Sequence, residues 1–167
     1  MPSTFSRLAA RMSTLGIALT MSDTLLPVAG APGRLAATFD GTTITVSSKV
    51  SDSTAIFLAC HTFGHCQQWI RDPSLRDQDP AEHPEWPDRV AIAALSEREA
   101  NGYGLALLME FAPECVETYL ALAREDWRAF AKFLGDNGMT GMGSIVPNGD
   151  LRVATSTVRI AAAFDLG

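Results

Sequence analysis

Residues 61–68 read HTFGHCQQ and place His61 and His65 four positions apart. On a helix that spacing puts both imidazoles on one face, about a metal-ligand span from each other. In the zinc-binding pattern H-E-x-x-H, the histidines hold the ion and the glutamate between them activates a water. Here Thr62 stands in the glutamate's place. A threonine hydroxyl titrates far above neutrality, so it can share a hydrogen bond but cannot take a proton as a carboxylate does. Two histidines make an incomplete site. The stretch SEREANGYGLALL supplies a third donor, because Glu97 and Asn101 are again four apart on an expected helix. Glu97 can reach the ion while Asn101, on the same face, fixes the orientation of a ligating histidine. Glu99 points roughly 160° away from Glu97 at ~100° per residue and is the weaker ligand. If that helix begins later than expected, the two glutamates exchange roles.

Other residues around the motif have plainer readings. Gln68 lies seven after His61, on its face, and is with Thr62 a candidate for catalysis, as a group that orients substrate. Gln67 is expected to be exposed. Cys60 and Cys66 read as small core hydrophobes; a Cys66 thiolate ligand is the alternative, although adjacent helix residues point ~100° apart. Trp69 and Trp86 read as core and loop anchors, and His83 as solvent-exposed.

These residues need elements to position them. In RLAATFDGTTITVSSKV apolar and polar positions alternate on both sides of Asp40-Gly41, a strong hairpin signal with strands near 35–39 and 42–47. Ser51, Asp52 and Ser53 are helix N-cap candidates, and the residues from Thr54 to Ile70 form a mostly apolar helix, buried on most sides. Residues 72–89, DPSLRDQDPAEHPEWPDR, hold four prolines and many charges, and read as a long loop, a candidate lid. A further helix runs from Arg89 or Ser96 to Met109. Pro113 sits in the first turn of the next, which ends at Gly135 or Asn137-Gly138. Before the hairpin, Leu8, Met12, Leu15 and Leu19 repeat as on an amphipathic helix. That pattern outweighs a signal-peptide reading of Arg7, Arg11, LGIALTM and Ala29-Gly30-Ala31. The stretch 144–167 mixes strand and helix signals.

Composition narrows the function classes. A chain of 167 residues with 47% apolar and 19% charged residues is expected to form one domain, 1–167, with a well-formed core that needs no structural metal. Thirteen Lys and Arg against 19 Asp and Glu give a net charge of -6, which argues against direct nucleic-acid binding. No segment approaches the ~20 apolar residues of a membrane span. Three cysteines without a C-x-x-C pair favour a reducing compartment, the cytoplasm.

The order of hairpin, H-x-x-x-H helix, variable loop and E-R-E-A-N segment resembles the ImmA/IrrE-type metallopeptidase family. The matching pieces are FDGTTITVSS, IFLACHTFGH and EREANGYGLALLM, spanning roughly residues 36 to 112. The resemblance implies a compact α+β, zincin-like fold, with a small antiparallel sheet or hairpin packed on the metal-binding helix. It also implies His61 and His65 as ligands, Glu97 as the third, and zinc as the ion. The family often cleaves repressor proteins. This chain departs from its pattern at Thr62, at Tyr103-Gly104 where Phe-Ala is usual, and at Glu110 where proline usually follows Leu-Leu-Met.

Loss of the positioned base removes about 10²–10⁴ in rate. The expected function is therefore a metal-dependent enzyme acting on a small molecule or peptide without standard peptide hydrolysis. Iron or copper are alternatives to zinc, since two histidines and a carboxylate also suit non-haem iron. Two other readings stand beside it. One is a non-catalytic metal-binding sensor or interaction module. The other is a hydrolase whose base comes from Asp77, Asp79, Glu82 or Glu85 in the 72–89 loop.

Overall fold

The computed structural model describes residues 3–24, 36–77, 83 and 85–135. Helix α1, Thr4–Thr14, begins at Ser3, whose hydroxyl accepts the Ser6 N–H at 3.1 Å, and it buries Leu8 and Met12 completely. It stops because Gly16 takes φ 82°, letting the Gly16 N–H bond to the Ser13 carbonyl and the Ile17 N–H to that of Met12. This paired closure leaves the chain free to leave the helix axis. Leu19, expected on that helix, lies instead in strand β1, Ala18–Ser22.

Strands β2, Ala37–Phe39, and β3, Thr43–Ser47, form the expected antiparallel hairpin, with Phe39 opposite Ile44. The turn is offset by one residue from the Asp-Gly reading. Asp40 and Thr43 close it, Gly41 takes φ 103° at its first central position, and the Asp40 carboxylate accepts the N–H groups of Thr42 and Thr43 at 2.9 and 2.7 Å. Because β1 pairs parallel to β3, the sheet has the order β1-β3-β2 and is mixed, not purely antiparallel. The fold class is α+β.

Helix α2, Asp52–Arg71, is capped by Ser51, whose Oγ accepts the Thr54 N–H at 3.2 Å, and every residue from Ala55 to Trp69 is buried. A helix apolar around most of its circumference belongs in a core, and α2 contacts the sheet and each of the other helices among the described residues. Gln67 is accordingly only 6% exposed, where the sequence reading put it in solvent. Part of the proline-rich stretch folds as a 3-10 turn, Pro73–Asp77, and its centre, 78–82 and 84, lies outside the described residues. His83 is not simply in solvent: its ring stacks on Trp86 at 4.1 Å, and Nδ1 lies 3.1 Å from a Glu85 oxygen.

Helix α3, Arg89–Phe111, starts at the earlier of the two expected positions and runs two residues past Met109. A 3-10 turn over Pro113–Cys115 leads into α4, Val116–Gly135. Arg89, buried at the start of α3, donates to the Leu134 carbonyl near the end of α4, where unpaired carbonyls favour a cation. The stretch 144–167 lies outside the described residues. Among the described residues no helix is long and apolar enough to cross a membrane.

The crossing of α2 over α3 is unusually close. A Cβ on Gly64 would stand 1.9 Å from the Ala100 carbonyl oxygen, and one on Gly104 would stand 2.6 Å from that of Cys60. Glycine at both positions lets the two backbones touch, which no other residue permits.

Candidate metal centre

Along one face of α2 run Phe57, His61, His65 and Trp69, each four residues after the last. The rings lean on one another: Phe57 to His61 at 5.4 Å, His65 to Trp69 at 5.7 Å, and Trp69 onto Phe39 of β2 at 6.2 Å. The imidazoles are thus held at both ends of the stripe. Across the close crossing, α3 presents Glu97 and, one turn on, Asn101.

His61 Nε2 and His65 Nε2 are 3.2 Å apart, and Glu97 places its oxygens 3.3 Å from the first and 3.7 Å from the second. Three donors on one ion at ~2.0–2.1 Å, in tetrahedral array, stand ~3.3–3.4 Å apart. The observed triangle has that size. His61, His65 and Glu97 form the converging group of potential ligands among the described residues. Their side chains are 11%, 9% and 6% exposed, so bulk water solvates little of the charge that gathers there.

The protonation of the rings follows from their other nitrogens. Asn101 donates from Nδ2 to the Glu97 carbonyl at 2.8 Å, which turns Oδ1 toward His61 Nδ1, 3.2 Å away. Gln68 donates from Nε2 to the Ser96 carbonyl at 2.8 Å and to Glu99 at 3.0 Å, which turns Oε1 toward His65 Nδ1 at 2.9 Å. An amide oxygen only accepts, so each Nδ1 must carry the hydrogen. In the neutral rings both Nε2 lone pairs then face each other and the Glu97 carboxylate. A single proton satisfies one of these contacts; a divalent cation satisfies all three.

Gln68 therefore stands behind His65 with its amide fully engaged, rather than pointing toward a substrate. Glu99 is removed from the donors and serves the site through Gln68. It is held by Arg71, whose Nη2 donates to Glu99 Oε2 at 3.0 Å and whose Nη1 bonds the other oxygen. Burial is the largest single influence on the Glu99 carboxyl and raises its pKa, but the hydrogen bonds from Arg71 and Gln68 and the charge of Arg71 outweigh it and leave the pKa below the ordinary glutamate value. Thr62 is 2% exposed on the same helix turn as His61. Burial pushes the Cys66 thiol well above its usual range, which disfavours the thiolate that coordination requires. Of the loop carboxylates, Asp79 and Glu82 lie outside the described residues, as does the side chain of Asp77, and Glu85 is 65% exposed beside His83.

Sequence reasoning missed two contributors. Phe57 is identified by its phase, one turn before His61. Tyr119 of α4 had no local signal: its one hydroxyl hydrogen is shared between Asn101 Oδ1 at 3.1 Å and the Asn101 carbonyl at 3.2 Å. The ring is 2% exposed, and burial above all pushes the phenol well above its ordinary pKa, so the hydroxyl keeps its proton. Glycine at 104 makes room for this residue, since a Cβ there would stand 2.5 Å from the Tyr119 hydroxyl.

Compared with protein-family models, with curated proteins and with solved structures, the chain finds no match.

Proposed function

We propose that the chain is a metal-dependent enzyme in which His61, His65 and Glu97 hold a single zinc ion and leave a further position open for water or substrate. The observation that carries this reading is the convergence of two Nε2 lone pairs and a carboxylate, with each ring's tautomer set by a buried amide. Zinc is the ion best matched to two nitrogens and one oxygen in a small tetrahedral triangle; iron and copper fit less specifically. When bound it would act as a Lewis acid and lower the pKa of a coordinated water toward ~7. The chain's own residues position the ligands and exclude bulk water. None of the described ones offers a free carboxylate one residue after His61, where the H-E-x-x-H pattern places its base, so a small molecule or an activated bond suits the site better than an ordinary peptide. The likeness to the ImmA/IrrE-type motifs supports the ligand set and says less about the reaction.

A second reading, a non-catalytic metal-binding sensor, is favoured by the same Thr62 and by the low exposure of the ligands. Elemental analysis after gel filtration, followed by cobalt substitution, separates these. The expected result is about one zinc per chain, lost in His61→Ala, His65→Ala and Glu97→Ala, and a cobalt visible spectrum that shifts when azide or a hydroxamate is added. A spectrum indifferent to added ligands would make the site closed and the sensor reading correct. Absence of stoichiometric metal from the wild type would overturn both.

A further inference from the structure

We propose that Tyr119, on α4, is a positioning residue for the metal centre, setting the tautomer of His61 through Asn101 and so tying the seating of α4 to the site's affinity for its ion. This rests on the ligand set proposed above, but its first test needs no metal.

The chain of contacts is continuous and buried. Asn101 Oδ1 has two lone pairs, and the structure gives each a donor: Nδ1–H of His61 at 3.2 Å and the Tyr119 hydroxyl at 3.1 Å. The Asn101 backbone carbonyl, at 3.2 Å, shares that one hydroxyl hydrogen with Oδ1, so both contacts hold the same residue. With Nδ2 held by the Glu97 carbonyl, all of the polar atoms of the Asn101 side chain are spoken for. The Tyr119 ring packs against Phe57 at 5.5 Å, and Phe57 packs against His61 at 5.4 Å, so one aromatic side chain supports both the ring and its orienting amide. Space for the hydroxyl exists only because residue 104 is glycine.

Without the hydroxyl, one lone pair of Oδ1 loses its donor on a side chain that is 2% exposed, and the hold of the amide on His61 is loosened. His61 can then place its hydrogen on Nε2, the atom that must be bare to bind a cation. A residue whose role was only to fill the core would not produce that change, because phenylalanine fills the same volume.

The experiment compares wild type, Tyr119→Phe and the control Tyr103→Phe in metal-free protein, by nitrogen NMR of the imidazoles, and then measures zinc affinity by competition with a chromophoric chelator. In the wild type His61 should show a single Nδ1–H tautomer. Tyr119→Phe should give a mixture and bind zinc 10–100-fold more weakly, the usual cost of losing a group behind a ligand, while Tyr103→Phe changes neither. Unchanged His61 nitrogen shifts in Tyr119→Phe would overturn the proposal even if zinc binds. A wild type with the expected tautomer and response, but no zinc affinity, would overturn the metal reading and leave the positioning role standing. Should Tyr119→Phe not fold, fluorotyrosine incorporated into Tyr103→Phe alters Tyr119 alone, since the chain has two tyrosines. The His61 Nδ1 signal must then move with the stronger phenol donor, and a fixed signal would refute the link.

Discussion

Replacing Gly64 with alanine tests whether the helix crossing, rather than the motif, makes the centre. The added Cβ would lie 1.9 Å from the Ala100 carbonyl oxygen, where ordinary contact begins near 3.4 Å. The obstacle is backbone, so it cannot swing aside, and α3 must move off α2 by about 1.5 Å. Glu97 lies three residues before Ala100 on α3 and travels with it. Displaced along the line of approach, its 3.3 Å separation from His61 becomes about 4.8 Å. Two donors bound at ~2.0–2.1 Å to one ion cannot be more than ~4.2 Å apart even when collinear. The carboxylate would thereby be lost from the proposed ligand set unless the crossing relaxes at further expense. The expected outcome is a zinc affinity reduced at least 100-fold, in a protein destabilised by about 1–3 kcal/mol through overpacking. A chelator competition titration and urea unfolding of the metal-free protein measure the two effects separately. Zinc affinity within threefold of wild type would refute the claim that this contact sets the ligand geometry.

Two further perturbations probe the base and the hairpin. Thr62→Glu restores a carboxylate after His61 but forces it into a position 2% exposed; we expect lower stability and no cleavage of a fluorogenic peptide library. Robust cleavage with metal content unchanged would instead identify a peptidase lacking only its base. Asp40 has a pKa lowered by the Thr42 N–H foremost, against some desolvation, with help from the Thr43 N–H and the Thr42 hydroxyl. A depressed folded pKa contributes stability that is fully present above the unfolded value of ~3.9 and lost as pH falls through the lower folded value. The melting-temperature gap between wild type and Asp40→Ala should therefore be widest near neutrality and narrow below about pH 4; a gap independent of pH would show that the carboxylate's charge is idle.

What could be read in the sequence followed the range of the forces involved. His61 with His65, and Glu97 with Asn101, were legible because the helix repeat alone fixes which residues share a face, and two such pairs in order need only be brought together. The hairpin was legible for the same reason, with glycine marking the reversal, though the hydrogen bonds to the Asp40 carboxylate moved the turn by one residue. Strand β1 was not legible, because ALTMS is short and its partner, β3, lies more than twenty residues away in a parallel pairing; Gly16 was the available sign that the first helix ends. Gln68 was placed on the correct face but given the wrong neighbour, since its partners Ser96 and Glu99 come from another helix.

The residues that escaped notice share a physical character. Tyr119 reaches the site across an 18-residue separation, and no periodicity within α4 distinguishes it from any other buried aromatic. Its trace in the sequence is Gly104, a poor helix former inside α3. Gly64 is a trace of the same kind, inside the motif and easily taken as filler. Both glycines cost helix stability locally, and the close backbone contact between α2 and α3 depends on them. A ligand pattern states which atoms are offered to an ion. Whether they arrive at 3.3 Å or at 5 Å is decided by side chains that are missing, and that is why glycines opposite a candidate ligand set carry information about it.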